Sequence, residues 1–126
     1  MKNRDVFALA MALLAESGDR YAVSEYEERA GYLIPAFSIE VRALNNRLCA
    51  LEGGVPYGDV PPFVSLDEEF PVKDVLVPAA AAYLAAMLVL AEDGALSDTL
   101  FARYCDAASS LRESLSARVE RIRDLY

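Results

Sequence analysis

The chain has 126 residues, which is enough for one domain with its own core. Its 20 acidic and 12 basic side chains give a net charge of −8, and 55% of its residues are hydrophobic. This charge argues against sequence-specific nucleic-acid binding and against docking on anionic membranes. The hydrophobic content argues against disorder.

The residue types that most often carry enzyme chemistry are scarce. The sequence contains no histidine, the commonest general base and zinc ligand. Cys49 and Cys105 lie far apart on apolar helical stripes, which is typical of free thiols. Two thiols predict a reducing compartment, with a single disulfide between them as the alternative. We therefore predict a non-enzymatic, cytoplasmic protein with no cofactor and no metal.

A first helix is predicted over about residues 4–16, and Gly18 is suited to end it. Lys2 and Arg4 precede an apolar run, as in a signal peptide, but Asp5 interrupts the basic segment. We therefore interpret this run as an ordinary helix.

A second, amphipathic helix is predicted over about residues 24–51, beginning at a capping box formed by Ser24 and Glu27. Apolar residues recur along it in steps of three and four: Tyr26, Ala30, Leu33, Ile34, Phe37, Val41, Leu44, Leu48 and Leu51. Pro35 lies inside this pattern, where its ring crowds the carbonyl of Gly31. Because the stripe keeps its phase, we predict a kink at Pro35. A short helix followed by a second one starting at Pro35 is the alternative.

Residues 52–77 are predicted to form a long irregular loop. Residues 52–74 alone hold four of the six prolines and three of the six glycines. The segment is too apolar for a free linker, which predicts short extended pieces packed on the helices or on a partner. Its apolar side chains are the candidate protein-interface residues: Tyr57, Val60, Phe63, Val64, Leu66 and Phe70.

Three adjacent carboxylates occur in this loop, at Asp67, Glu68 and Glu69. Calcium and magnesium sites need more oxygen ligands at spaced positions. We therefore interpret these acids as a solvated turn and not as a metal site.

Residues 75–91 are uncharged and apolar apart from the phenol of Tyr83. A helix that is apolar all round must be buried on most faces. The stretch is at the short limit for a bilayer span, and Pro78 shortens its helix further. We therefore predict a buried central helix over about residues 78–92. Its small residues 79–82 allow a close approach by a backbone of the second helix or of a neighbouring copy.

A fourth helix is predicted over about residues 97–123, with Ser97 as its cap after Gly94 ends the third helix. The short connection makes the third and fourth helices an antiparallel pair. The predicted fold class is therefore all-α, a bundle of about four helices in a single domain over residues 1–126.

The order of elements over residues 64–111 resembles a known family. The turn VSLDEEFP (residues 64–71) precedes an alanine-rich helix with AYLAAML (82–88), and DGALSD (93–98) then leads into FARY (101–104). This order is similar to that of the small helical head–tail connector (adaptor, or neck) proteins of tailed phages and prophages. The N-terminal half is similar in its helix pattern alone.

The resemblance implies a non-enzymatic ring subunit that docks beneath the portal and joins head to tail. Its partners would be copies of itself and other virion proteins (the portal and tail-completion proteins), with no catalytic residue and no cofactor. It would occur in the bacterial cytoplasm and then in the virion. Two other classes stay open: a small intracellular helical regulator or protein-binding module, and an enzyme subunit whose site a partner completes.

Overall fold

A computed structural model describes residues 1–15, 23–59 and 61–124. Its helices are α1 (Asn3–Ala15), α2 (Val23–Glu40), α3 (Arg42–Glu52), α4 (Val77–Val89) and α5 (Gly94–Asp124), with a 3₁₀ turn, Asp74–Leu76, before α4. Across these three ranges there is no β-strand, and one isolated bridge joins Lys2 to Glu69. The predicted all-α class is confirmed. The predicted end of the first helix near Gly18 lies outside the described residues.

The described residues form five α-helices where we predicted about four, because the second predicted helix is divided. The division falls at Val41 and not at Pro35, through which α2 continues. Val41 has φ −103° and ψ 9°, values outside the helical range. Its N–H still donates to Phe37 O at 3.1 Å and its carbonyl accepts from Asn45 N at 2.8 Å, so the two helices remain joined end to end.

The central element of the fold is α4, which packs against α1, α2 and α5. Eleven of its 13 residues are buried. Helices of the same chain therefore pack against the alanines of α4. Within the described ranges, none of the helices has the length and apolar character needed to cross a membrane.

The turn between α4 and α5 differs from the prediction. Gly94 begins α5 instead of ending the preceding helix, and Asp93 Oδ1 accepts from Leu96 N at 3.0 Å as the cap. Ser97 is buried, and its hydroxyl donates to Ala86 O of α4 at 2.8 Å. Asp and Ser cap helices equally well, and α5 begins after Asp93, one turn before Ser97.

An aromatic cluster fills the space where the helices and the loop meet. The ring of Phe37 on α2 lies 6.3 Å from Phe70 of the loop, 5.6 Å from Tyr83 of α4 and 6.0 Å from Tyr104 of α5. Edge and offset contacts at these centroid separations are favourable for aromatic rings. This cluster therefore ties three helices and the loop into one core.

α5 extends well beyond α4. With 31 residues it is about 46 Å long, against about 20 Å for α4. Beyond α4, Leu115 is buried and Arg118 donates to Glu52 at the end of α3 at 2.5 Å. The second half of α5 thus meets the end of α3 through this ion pair.

Candidate protein-binding surfaces

The loop is attached to α2 at a site made by one proline and one glycine. Pro35 has no N–H, so the carbonyl of Gly31 lacks its helical donor. Val64 N–H donates to this carbonyl instead, at 2.9 Å. A Cβ on Gly31 would lie 2.3 Å from Phe63 Cε2 and 2.8 Å from Val64 O, so only glycine allows this approach. The attachment holds the ring of Phe63 against the side of α2.

Three of the six predicted interface residues lie in this chain's own core. Val64, Leu66 and Phe70 are 6%, 9% and 7% exposed. They are buried because the loop packs on α1 and α2, which the sequence prediction left open as an alternative to packing on a partner. In this structure they offer no surface to another protein.

The other three predicted interface residues have different positions. Tyr57 is half-buried, with Arg42 over its ring at 5.8 Å and its N–H donating to Asn46 Oδ1 at 3.0 Å. Phe63 is 48% exposed. Val60 lies outside the described residues. Phe63 is therefore the predicted residue that offers the largest described surface.

The acidic turn, residues 66–69, closes the N-terminus of α1. Arg4 N donates to Leu66 O at 2.8 Å and Asn3 N donates to Glu68 O at 3.0 Å, so the turn satisfies N–H groups that the helix itself cannot. Hydrogen bonds from the Arg4 guanidinium to Glu27 at 2.7 Å and to Asp67 at 3.2 Å raise its pKa. Arg4 thus links α1, α2 and the acidic turn.

The carboxylates of this turn do not converge on one point. Asp67 faces Arg4, Glu68 Oε1 accepts from Ser65 N at 3.2 Å, and Glu69 faces the Met1 amino group at 3.3 Å. Over the described ranges, no group of three or more Asp, Glu, His or Cys side chains could hold a metal ion. The turn is a structural element of the α1 terminus.

The outward face of α2 carries large exposed apolar side chains. Tyr32 is 58% and Ile39 54% exposed, and their spacing of seven residues places them on one face of the helix with Ala36. Phe63 meets Tyr32 edge-to-face at 4.9 Å between ring centroids. We call Tyr32, Ala36, Ile39 and Phe63 the α2 surface.

A groove runs between α1 and α5 above α4. Its two adjoining parts have volumes of about 560 and 460 Å³. Its walls and floor are lined mainly by apolar side chains: Leu9, Ala12, Leu13, Pro78, Ala81, Leu96, Thr99, Leu100, Ala102, Arg103, Asp106 and Ala107. Leu13 and Arg103 line both parts. We call this feature the α1–α5 groove.

The two surfaces lie on opposite sides of α4. Pro78 and Ala81 form the floor of the α1–α5 groove. Tyr83 follows Ala81 by two residues, which is about 200° around the helix, and its ring contacts Phe37 of α2. α2 therefore packs on the face of α4 opposite the groove, and the α2 surface points further away.

The perturbed tyrosines do not form a catalytic pair. Burial raises the pKa of Tyr83 and of Tyr104, and the negative charge of Glu40 adds to both shifts. Higher pKa values keep both phenols protonated at neutral pH, so neither serves as a base. Their rings, 5.2 Å apart, belong to the aromatic cluster.

Comparison of the chain with protein family models, with curated proteins and with solved structures gave no match. The two apolar surfaces are therefore the features of this chain that bear most directly on its function. Sequence analysis missed Tyr32 and Ile39, although both lie off the apolar stripe of the second predicted helix. The sequence signal for them was the presence of an aromatic and a β-branched residue on the polar face of an amphipathic helix.

Proposed function

We propose that this chain is a non-enzymatic structural protein that acts through contacts with other protein chains, as a ring subunit of the head–tail connector kind. In this proposal it assembles with copies of itself and with portal and tail-completion proteins. It would be made in the bacterial cytoplasm and become part of the virion. Its fold would be the helical bundle of that family, with residues 64–73 as a loop segment packed on the helices.

The observation that carries the proposal is the pair of unlike apolar surfaces on opposite sides of α4. A subunit in a ring contacts two neighbours through two different patches, since head-to-tail contacts are heterologous. The α2 surface projects, with Tyr32 and Phe63 both about half exposed. The α1–α5 groove is concave. A ring subunit needs such a pair of surfaces.

The charge of the chain supports the same role. A net charge of −8 repels DNA phosphates, so a ring of these subunits would not retain DNA that passes through it. One of the segments behind the resemblance, residues 64–71, is consistent with a structural part because it closes the N-terminus of α1.

Sizing chromatography with light scattering tests the proposal. The chain is measured alone and after co-expression with the products of neighbouring genes. We expect rings, or a stable complex with a portal-like or tail-completion-like partner. A chain that stays monomeric at high concentration and binds none of these partners would contradict the proposal.

A second candidate function is a protein-binding module that holds a helix of another protein. The α1–α5 groove favours it, because walls of apolar side chains over a floor of small residues suit a helical ligand. The same measurement separates the two functions. A binding module is expected to form a one-to-one complex with its partner and no ring.

A further inference from the structure

We infer that residues 54–59 form a strap that opens from α3 while the rest of the chain stays folded, and that this opening uncovers the thiol of Cys49. We call these six residues the strap. They follow a pair of glycines, few bonds hold them, and buried polar groups at their contact with α3 lack partners. Segments with few buried contacts open locally at a much lower free energy than the whole domain unfolds.

The strap begins at a fixed point at the end of α3. Gly53 N–H donates to Cys49 O at 2.8 Å, and Gly53 O accepts from Lys73 Nζ at 2.8 Å. Gly53 and Gly54 have φ values of 85° and 120°, in the region that favours glycine. Two adjacent glycines can change their backbone angles without a side-chain clash. They are therefore suited to act as the hinge of the strap.

The strap itself is held on α3 mainly by two hydrogen bonds that involve side chains. Tyr57 N–H donates to Asn46 Oδ1 at 3.0 Å, and Arg42 Nη2 donates to Gly58 O at 3.1 Å. No backbone-to-backbone hydrogen bond joins the strap to another described residue. By contrast, the next part of the loop is attached to α2 through the backbone of Val64. The strap can therefore separate from α3 without breaking that attachment.

Burial adds little to the closed position of the strap. Five of its six residues are exposed, including Val55 at 87%, and Tyr57 is half-buried. The Tyr57 hydroxyl and Arg42 Nε are buried, yet neither has a hydrogen-bond partner among the described residues. A buried polar group without a partner has lost its hydrogen bonds to water. Because opening returns water to both groups, it offsets part of the cost of breaking the bonds that hold the strap.

The thiol of Cys49 lies beneath the strap. Cys49 is buried, its Sγ donates weakly to Val55 O at 3.7 Å, and a Cβ on Gly54 would lie 3.4 Å from this Sγ. Gly54 and Val55 thus cover the sulfur. A thiol reagent needs direct access to the sulfur, so the reactivity of Cys49 measures the opening of the strap. Cys105 on α5 is exposed and supplies the reference rate.

The test is maleimide labelling of the full-length reduced chain. The thiolate of each cysteine adds to N-ethylmaleimide with no leaving group, and peptide mass spectrometry gives the rates at Cys49 and Cys105 separately. We expect Cys49 to react more slowly than Cys105 but faster than global unfolding allows. The effect of urea on an opening scales with the surface that the opening exposes. Below the unfolding transition, the Cys49 rate should therefore be nearly independent of urea.

Two glycine variants test the hinge. Gly54→Ala places a Cβ at a φ of 120°, which strains the closed strap and is relieved when the strap opens. It should raise the labelling rate of Cys49 roughly tenfold. Gly58→Ala is the matched control, because Gly58 does not have a positive φ and its Cβ would meet no atom within 4 Å. It should not raise the rate.

A second pair of variants tests the bonds that hold the strap. Asn46→Ala removes the acceptor of Tyr57 N–H and should raise the labelling rate of Cys49 about fivefold. Arg47→Ala changes the neighbouring, exposed residue and should leave the rate unchanged. Circular dichroism and thermal unfolding show that each variant is folded at the labelling temperature.

Three results would overturn the inference. In the first, Cys49 of the folded chain reacts as fast as Cys105, so the strap does not cover it. In the second, the Cys49 rate has the urea dependence of global unfolding, so the strap opens only with the whole domain. In the third, Gly54→Ala reacts no faster than Gly58→Ala, so the glycine pair is not the hinge. None of these results concerns association with other chains, and the proposed function is tested separately.

Discussion

Two regions of the molecule are held in place by different physics. α4 is fixed by burial on nearly every side, with 11 of 13 residues inside the core. The loop segment formed by residues 63–70 buries Val64, Leu66 and Phe70, but its position also depends on a few directed bonds, such as Val64 N to Gly31 O and Arg4 N to Leu66 O. Burial is spread over many contacts and tolerates no charge. Directed bonds depend on single residues, and each can be removed separately.

The largest expected effect is on α4. Ala85 is fully buried, so Ala85→Asp places an unpaired carboxylate in the core and should cost about 4 kcal/mol or more. A loss of that size is comparable to the whole stability of a typical small domain. We expect no cooperative thermal transition in circular dichroism and an aggregation-prone product.

The matched control for this change is Ala8→Asp, at an exposed position of α1 outside the groove. It changes the same side chain in the same way and should cost no more than about 0.7 kcal/mol, the range of helix propensity. If Ala85→Asp unfolds with the same midpoint as Ala8→Asp, Ala85 is not at a buried position of the core.

The next effect concerns the attachment of the loop to α2. Gly31→Ala usually would stabilise a helix by about 1 kcal/mol. Here the added Cβ meets the Phe63 ring and Val64 O, so we expect a loss of about 1–3 kcal/mol from overpacking. Hydrogen exchange at the Val64 amide should also become faster, because its bond to the Gly31 carbonyl is strained or lost.

Gly94→Ala is the control for this change, because a Cβ at Gly94 meets no atom within 4 Å. It should leave stability unchanged or raise it slightly. A Gly31→Ala variant that gains about 1 kcal/mol, as an ordinary helical position would, is incompatible with the described attachment.

The contrast between the two regions also explains what the sequence could predict. The burial of residues 79–89 follows from their composition alone, since an apolar helix must be covered. The attachment of Phe63 to Gly31 joins residues far apart in the chain, and no local pattern signals it. α2 continues through Pro35, as predicted, but the sequence did not show that the Gly31 carbonyl freed by Pro35 accepts from Val64 N.

Other predictions failed because two different structures fit the same local sequence pattern equally well. Ser97 and Asp93 are both good helix caps, and tertiary packing turned Ser97 toward Ala86. The break at Val41 interrupts an apolar stripe that keeps its phase, so periodicity could not locate it. The interface prediction for Val64, Leu66 and Phe70 did not separate packing on this chain from packing on a partner, which hydrophobicity alone cannot do.

A smaller effect concerns the aromatic cluster around α4 at high pH. The pKa of Tyr83 and of Tyr104 is raised by burial above the ordinary 10.0. Below pH 10 both phenols are neutral in the folded and unfolded chains, so their contribution to stability is fully present. Above it the unfolded chain ionises first, and that contribution is lost as the pH rises through the folded pKa values.

Urea unfolding at pH 9, 10 and 11 measures this loss. In the double variant Tyr83→Phe and Tyr104→Phe, the free energy of unfolding should fall less steeply with rising pH than in the wild-type chain, because it has no phenol to ionise at these positions. Tyr32→Phe changes an exposed tyrosine and should decline like the wild type. Equal slopes for all three chains would show that Tyr83 and Tyr104 are not shielded from solvent.

The smallest effect is expected where the acidic turn meets α1. Arg4→Gln removes the guanidinium that pairs with Glu27 and Asp67, but all three side chains are at least 40% exposed. Pairs between exposed charges contribute little and are screened by salt. We expect a small decrease in the melting temperature at low ionic strength that disappears in 1 M NaCl.

Arg47→Gln is the control, since Arg47 is exposed and makes no ion pair with any described residue. The backbone bonds from Asn3 and Arg4 to the turn remain in both variants. A large, salt-independent loss in Arg4→Gln would mean that the charges, and not these backbone bonds, hold the turn on α1.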